Sequence, residues 1–348
     1  MMTQNGHAYG WAPELPDHRD RPYAAHAPTE VPPVLPPAVD LRNVTFPIWN
    51  QGELGTCTAN SSEEAVRYAV LKQGLPDVEP SRLFNYYNAG VLEGTETQDV
   101  GRYNRDAIKV TATLGSAPES DWSYDTGPTK FAQKPPQAAY DDATKYEALT
   151  YLRIDNTNLD EMKGCLAAGF PFIIGFTVYA NFETGEVAAT GVAQMPQGQV
   201  LGGHSVLVVG YDDASQRFIA RNSWGTGWGM QGYFTMPYAY FSNGNLADDS
   251  WTIRLMSGPP PPPPPVTPVI DGDTFYRAKN GKLFVFTEKA QFNSTVGVDG
   301  SVIETHVNTP FDGEFYSKKH LGLASGSHLI TVQNPDGAMS QPLALTVP

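Results

Sequence analysis

Seven consecutive prolines, Pro259 to Pro265, divide this chain of 348 residues more sharply than any other feature. Proline offers no amide proton to a helix or sheet, and its ring holds the backbone near the polyproline II conformation. At about 3.1 Å per residue such a run is a rod of roughly 20 Å that no hydrophobic core can cross. The chain is therefore expected to fold as independent units on either side, with residues 258–268 as the linker.

Past the linker, "TFYRAKNGKLFVFTE", "NSTVGVDGSVIETHV" and "PLALTV" are short strand-like runs divided by Asn-Gly, Asp-Gly and Ser-Gly turns, which predicts a small all-β sandwich over residues 269–348. At the other end, residues 1–38 are rich in Pro, His, Ala and Asp, an extended segment without a core of its own. Two readings stay open for it. It is a plain tail, or it is a strap and possible propeptide laid across a groove of the domain that follows.

That domain, residues 39–257, carries both periodicities. "CTANSSEEAVRYAVLKQG" has small and apolar residues at helical spacing, stopped by Gly74 and Pro76, so a helix opens at Cys57. "SRLFNYYNAG", "RDAIKVTATLG" and "LDEMKGCLAAG" predict three more helices, whereas "FPFIIGFTVY", "GHSVLVVGYDD", "RFIARNSW" and "GYFTMPYAYF" predict strands. Helices first and strands later imply an α+β domain of two lobes. An apolar content of 41% is enough to build its core.

A net charge of −14 sets up a field that repels polyanions, so nucleic acid is not an expected partner. No apolar run approaches the roughly 18 residues of a membrane span, and the opening "MMTQNGHAYGWAPELPDHRD" has neither the cationic nor the apolar region of a signal peptide. The expected location is cytoplasmic, or exported by a non-Sec route. The two cysteines stand alone, outside any CxxC pair or histidine cluster, so neither a disulfide framework nor a metal site is expected, and no cofactor.

A lone cysteine is either packing or a nucleophile, and a nucleophile needs its thiol acidified by a helix N-terminus or a nearby imidazolium. Cys57 has the first. His204 is the one histidine of the central domain, at the start of an apolar strand behind Gly202 and Gly203. In "ARNSWGTGWGMQGYF", Asn222 stands 18 residues beyond His204, placed to fix the imidazole, and Trp224 to shield that bond from water. Gln51, six residues before Cys57, is placed to offer its side-chain amide to a developing oxyanion beside the Cys57 N–H. Cys165, mid-helix without a polar neighbour in sequence, reads as packing.

Gln51, Gly52, Cys57, "GGHS" and above all "NSWGTGWGMQGYF" resemble the papain-like cysteine peptidases, in the order Gln, Cys, His, Asn, over about three fifths of the chain. His204 lies 147 residues beyond Cys57, inside the family spacing of about 130 to 150; Asn222, at 165, lies slightly beyond it. The resemblance implies a two-lobed papain-like fold with Cys57 as nucleophile, His204 as base and then acid, Asn222 as orienter and Gln51 as oxyanion donor. It also implies a peptide or protein substrate and a groove touched by Gly101, Gly203 and Ser205. The family's prosegment is usually longer and helical, which about 38 proline-rich residues cannot build, so the leading segment with its run "PELPDHRDRPY" is expected to impose latency as an extended strap in or beside the cleft. The sequence departs from the family at Leu54, where better-known members have a disulfide cysteine, and at Thr58, where they carry Trp or Tyr; the missing bridge suits a chain matured in a reducing compartment or a bacterial-style branch. The Gly-Gly run of the groove is reduced to Gly101 followed by Arg102.

The C-terminal region resembles the immunoglobulin-like or TIG-type modules appended to many enzymes, through "HLITVQNPDGAMSQPLALTV". Its ligand is left open among a protein, a carbohydrate, a surface ligand and none. Two other activities fit the same residues: a transpeptidase or amidase using the same acyl-enzyme, and a binding protein built on a retired peptidase scaffold.

Overall fold

The computed structural model describes residues 6–15, 17–26, 31–44, 46–258, 268–277, 281–288, 290, 294–309, 314–317, 319, 321–335 and 337–347. The proline run lies outside them. Two compact units divide the chain, Met1–Pro260 and Pro261–Pro348.

In the first unit the elements run α1 (Tyr23–His26), β1 (Ala38–Asp40), α2 (Cys57–Lys72), α3 (Arg82–Glu93), α4 (Asn104–Thr113), α5 (Gln137–Ala143), β2 (Ala148–Ile154), α6 (Leu159–Ala167), β3 (Phe172–Tyr179), α7 (Gly185–Thr190), β4 (Val200–Asp212), β5 (Arg217–Arg221), β6 (Tyr233–Pro237), α8 (Tyr238–Phe241) and β7 (Ala247–Met256). The strands form one antiparallel sheet in the order β2-β7-β3-β4-β5-β6, and β1 pairs onto the far end of β4 through Ala38 and Asp212. The chain is α+β, as expected. Strand β2, however, precedes α6, so helices and strands interleave rather than follow in blocks. Strands β2 and β7 were not legible: the burial of β7 on both faces removes the period-two signal, and Asp248 and Asp249 break its apolar run. "GYFTMPYAYF" turns from strand to helix after Pro237, whose extended backbone (ψ 142°) caps α8.

Helix α2 packs against β3, β4 and β7 on one side and α3 and α4 on the other, and Cys57 through Val70 are all buried. Polar side chains enclosed this way need partners. Asn60 donates to the Thr56 carbonyl (2.9 Å), Ser61 meets the Ser205 hydroxyl (2.7 Å), Asn85 donates to Glu63 (2.8 Å) and Arg221 donates to Glu64 (2.8 Å). Helix α3 opens on Ser81, whose hydroxyl accepts the Phe84 N–H (3.2 Å), and ends at Gly94 in the left-handed region.

The second unit holds β8 (Val269–Ile270), β9 (Phe275–Arg277), β10 (Lys282–Glu288), β11 (Thr295–Val298), β12 (Ser301–Ile303), β13 (Thr305–Thr309), β14 (Glu314–Ser317), β15 (Gly326–Gln333) and β16 (Leu343–Val347). One antiparallel sheet runs β13-β14-β10-β8 with β9 on β10, the other β12-β11-β15-β16. Leu283, Val285, Val296, Val298, Phe315, Ile330 and Val332 form their core. The Asp-Gly signal is borne out: Asp299 (φ 49°) and Gly300 (φ 81°) make the two-residue β11–β12 turn that requires positive φ at both positions.

Candidate active site

Cys57 is the first residue of α2, and its side chain is fully buried. His204 enters from β4, opposite Phe176 of β3, and its ring meets Phe176 edge-on at 5.7 Å. The His204 Nε2 and the Asn222 Oδ1 are 2.8 Å apart, while Nδ1 is buried without a hydrogen-bond partner. Asn222 is fixed in turn, its backbone N–H donating to the Gly232 carbonyl (2.9 Å) and its Oδ1 accepting the Ser223 N–H (2.9 Å). Trp224 lies over the imidazole, ring centres 4.9 Å apart and planes 29° from parallel, which keeps water from the His204–Asn222 bond. The backbone N–H of Ser205, the next residue after His204, is close enough to the Cys57 sulfur to favour its thiolate. Cys57 at the start of α2 thus lies beside the strand that carries His204.

Gln51 is held by the Ser223 hydroxyl, which donates to its Oε1 (2.7 Å), and by its own N–H, which donates to the Ser223 carbonyl (2.8 Å). That leaves Nε2 to donate to the carbonyls of Leu54 (2.9 Å) and Ala8 (3.0 Å). Ala8 belongs to the leading segment, which here occupies the cleft. The Trp11 N–H donates to the Gly203 carbonyl (3.0 Å) on one wall, and the Gly10 carbonyl accepts the Arg102 N–H (2.7 Å) on the other, with Trp11 and Arg102 paired in parallel. The approach needs glycine at Gly101, which has φ +83°: a Cβ there would overlap the Gly10 backbone.

The side chains of His7, Tyr9 and Trp11 alternate along this extended stretch. His7 stacks on Trp224 at 3.9 Å, Tyr9 meets His204 edge-on at 6.2 Å and its hydroxyl donates to Glu183, and the Trp11 indole N–H donates to Asp249 (3.3 Å). Farther along, Glu14 and Asp20 clasp Arg105 at 2.5 and 2.8 Å, Asp20 also pairs with Arg153 (2.9 Å), and Tyr23 is buried. These residues of the leading segment lie against the walls of the cleft, and the stretch is called the strap below.

Enclosure sets the electrostatics of the site. Burial pushes the Cys57 thiol up to about 11, and the backbone N–H groups of Ser205, Gly10, Thr58 and Cys57 itself only partly offset it. Burial also pulls His204 down to about 4, partly opposed by the bond to Asn222. In this enclosed state burial works against the acidification expected from the helix N-terminus, and both shifts favour the neutral thiol and the neutral imidazole.

Of the expected groove residues, Gly101 and Gly203 touch the strap and the side chain of Ser205 does not. Its hydroxyl donates to Asn104 Oδ1 (2.8 Å) and meets Ser61, so it ties β4 to α2 and α4 rather than lining the groove. Cys165 is buried, and its thiol donates to the Phe170 carbonyl (3.4 Å). Sequence reasoning missed Glu183, Asp249 and the alternation His7, Tyr9, Trp11. That alternation, with Ala8 and Gly10 between, was the available signal of an extended segment with one bulky face.

A sequence model described as papain family cysteine protease matches residues 35–251. Xylellain, a cysteine protease from Xylella fastidiosa, superposes with a TM-score of 0.66 at 39% identity, over 71% of this chain and 96% of that one. An uncharacterized peptidase C1-like protein of Acanthamoeba polyphaga mimivirus is 40% identical over 220 residues, 60% of this chain and 70% of its own length. The bromelain protease from Ananas comosus, solved in complex with the E64 inhibitor, superposes with a TM-score of 0.50 at 20% identity, over 64% of this chain and all of that one. A cysteine-type peptidase is the class these relationships define. The chain belongs to the papain family of cysteine proteases.

Proposed function

We propose that Cys57 is the nucleophile of a peptide-bond hydrolysis, activated by His204, and that the strap holds the enzyme latent. The observation that carries this reading is the Gln51 amide donating to the Ala8 carbonyl beside Cys57, with Gly10 and Trp11 bonded to opposite walls. A peptide carbonyl already occupies the donor that a substrate carbonyl needs. In the open enzyme, water returns to the site, the Cys57 thiol falls from about 11, and His204 rises from about 4. The proton then passes from sulfur to the imidazole, which Asn222 holds in one orientation. The thiolate attacks the scissile carbonyl, Gln51 Nε2 and the Cys57 N–H hold the oxyanion, and His204 gives its proton to the leaving amine. Water, deprotonated by His204, hydrolyses the thioester.

In protein opened by Trp11→Ala, the further substitution Cys57→Ala should abolish hydrolysis of an unfolded protein substrate and leave the fold unchanged. Hydrolysis that survives in that variant overturns the assignment. We read the second unit as an immunoglobulin-like module appended to the peptidase, supported by its two antiparallel sheets sharing one apolar core.

A further inference from the structure

Helix α2 carries Cys57, Ser61 and Glu64 at i, i+4 and i+7, positions that a helix of about 3.6 residues per turn sets on one face. All three are buried, and the hydrolytic reaction uses only the first. The other two bond to residues that adjoin the rest of the site in sequence. The Ser61 hydroxyl lies 2.7 Å from that of Ser205, which follows His204, and the Glu64 carboxylate accepts the Nε–H of Arg221 (2.8 Å), which precedes Asn222.

Both far partners are themselves fixed. Ser205 Oγ donates to Asn104 Oδ1 (2.8 Å), and the Asn104 amide donates to the Asp249 carbonyl (3.0 Å). With the Ser205 proton committed, Ser61 is the donor between the two hydroxyls, so the chain from Ser61 through Ser205 and Asn104 to Asp249 runs in one direction and each bond polarises the next. Arg221 donates from Nη1 to the Tyr233 hydroxyl (3.1 Å) and from Nη2 to the Phe46 carbonyl (3.2 Å). Ser61, Ser205, Asn104 and Arg221 are all buried, where a polar group left unpaired is costly, so neither tie can slide.

The rest of this helix offers no such constraint. Ala65, Val66, Ala69 and Val70 pack in one apolar cluster with Ile173 of β3 and Leu207 and Val209 of β4. Apolar contact is non-directional: it sets how close the helix lies to the sheet but not its register along it. The Glu64–Arg221 pair pins α2 two turns beyond Cys57, and the hydroxyl pair pins it one turn beyond. Resting on the peptidase reading above, we propose that Ser61 and Ser205 are positioning residues, whose hydroxyl pair fixes where the Cys57 sulfur stands relative to the His204 imidazole. Slippage of about 1 Å in such a placement costs about a hundredfold in rate.

Two measurements on full-length protein opened by Trp11→Ala test it. In the first, kcat is counted per site titrated by an E64-type epoxide, so unfolded chains do not enter. Ser61→Ala and Ser205→Ala should each lower kcat about tenfold to a hundredfold with KM within about twofold, because neither hydroxyl touches the substrate. The Ser61→Ala, Ser205→Ala protein should stay within about threefold of Ser205→Ala, since both changes break one tie. Losses that multiply in the double variant, or a raised KM with kcat intact, overturn the proposal. The second needs no hydrolysis. Ser61→Ala should slow alkylation of Cys57 by iodoacetamide at pH 7 about tenfold, but less than about twofold once His204→Ala is also present, because the tie acts through the imidazole that takes the proton from sulfur. Equal slowing in both backgrounds, or none in the first, overturns the proposal. If no peptide is cleaved while alkylation shows this dependence on His204, the peptidase reading fails and the positioning role stands.

Discussion

Removing the strap's largest anchor should expose the cysteine. Truncating a buried tryptophan to alanine costs about 3 to 5 kcal/mol, the upper range of core truncations, and Trp11 is nearly enclosed. If that loss falls on docking of the strap, the open population rises by about 10² to 4 × 10³, each 1.4 kcal/mol being tenfold. While the strap is seated, a thiol at about 11 is ionised in only about one molecule in 10⁴ at pH 7. Alkylation by iodoacetamide at pH 7, resolved by peptide mass, reads the change. Cys165 is the internal control, since its thiol is buried against Phe170 and Arg254, away from the strap's His7–Trp11 stretch. In the Trp11→Ala protein, Cys57 should react at least 10²-fold faster and Cys165 at its former rate. If both cysteines accelerate together, the tryptophan supports the global fold instead; if neither does, the strap does not shield the sulfur.

Four further outcomes follow from the site. His204, drawn down to about 4 by burial, should stay neutral in strapped protein until the pH falls toward 4, followed by its imidazole NMR resonance; a midpoint at or above 6.5 contradicts the buried geometry. The sign follows from which state binds the proton: the open form does so near the ordinary 6.5, so this group's contribution to closure is fully present above pH 6.5 and is lost as the pH falls to about 4. Asn222→Ala should lower kcat about tenfold to a hundredfold with little change in KM, because it frees the imidazole to rotate without touching the substrate; a change in KM alone would place Asn222 in binding. Glu64→Ala strands the buried Arg221 cation and should destabilise the first unit by about 3 to 5 kcal/mol in denaturant melts, whereas an unchanged midpoint would mean water reaches the pair. Products analysed by mass in water with an added amine should be carboxylic acids; amide products would move the activity to transpeptidation.

What the sequence disclosed follows from where its signals are local. Cys57 at a helix start, His204 at a strand start and Asn222 in a tight Gly-rich segment each declare themselves within about ten residues; the structure bonds His204 to Asn222 and sets Cys57 beside the backbone of Ser205, the residue after His204. Asp249 declares nothing: in "ADDSWTI" it reads as an interruption, and its meaning comes only from Trp11, which stands 238 residues earlier. The state of the sulfur was also hidden. A helix N-terminus argues for an acidified thiol, but burial opposes it, and the surroundings of the sulfur include the backbone of Gly10, whose docking no local pattern encodes. Ser205 shows the converse. Its place beside His204 suggested the groove, yet a strand sends neighbouring side chains to opposite faces, and its hydroxyl went to Ser61.

The most direct measurement is the stoichiometry of an E64-type epoxide on the Trp11→Ala protein, mapped by mass while hydrolysis is followed in the same sample. One adduct per chain, on Cys57, with activity falling in proportion to its formation, is the expected result. An adduct on Cys165, or full activity in protein completely modified at Cys57, would contradict it.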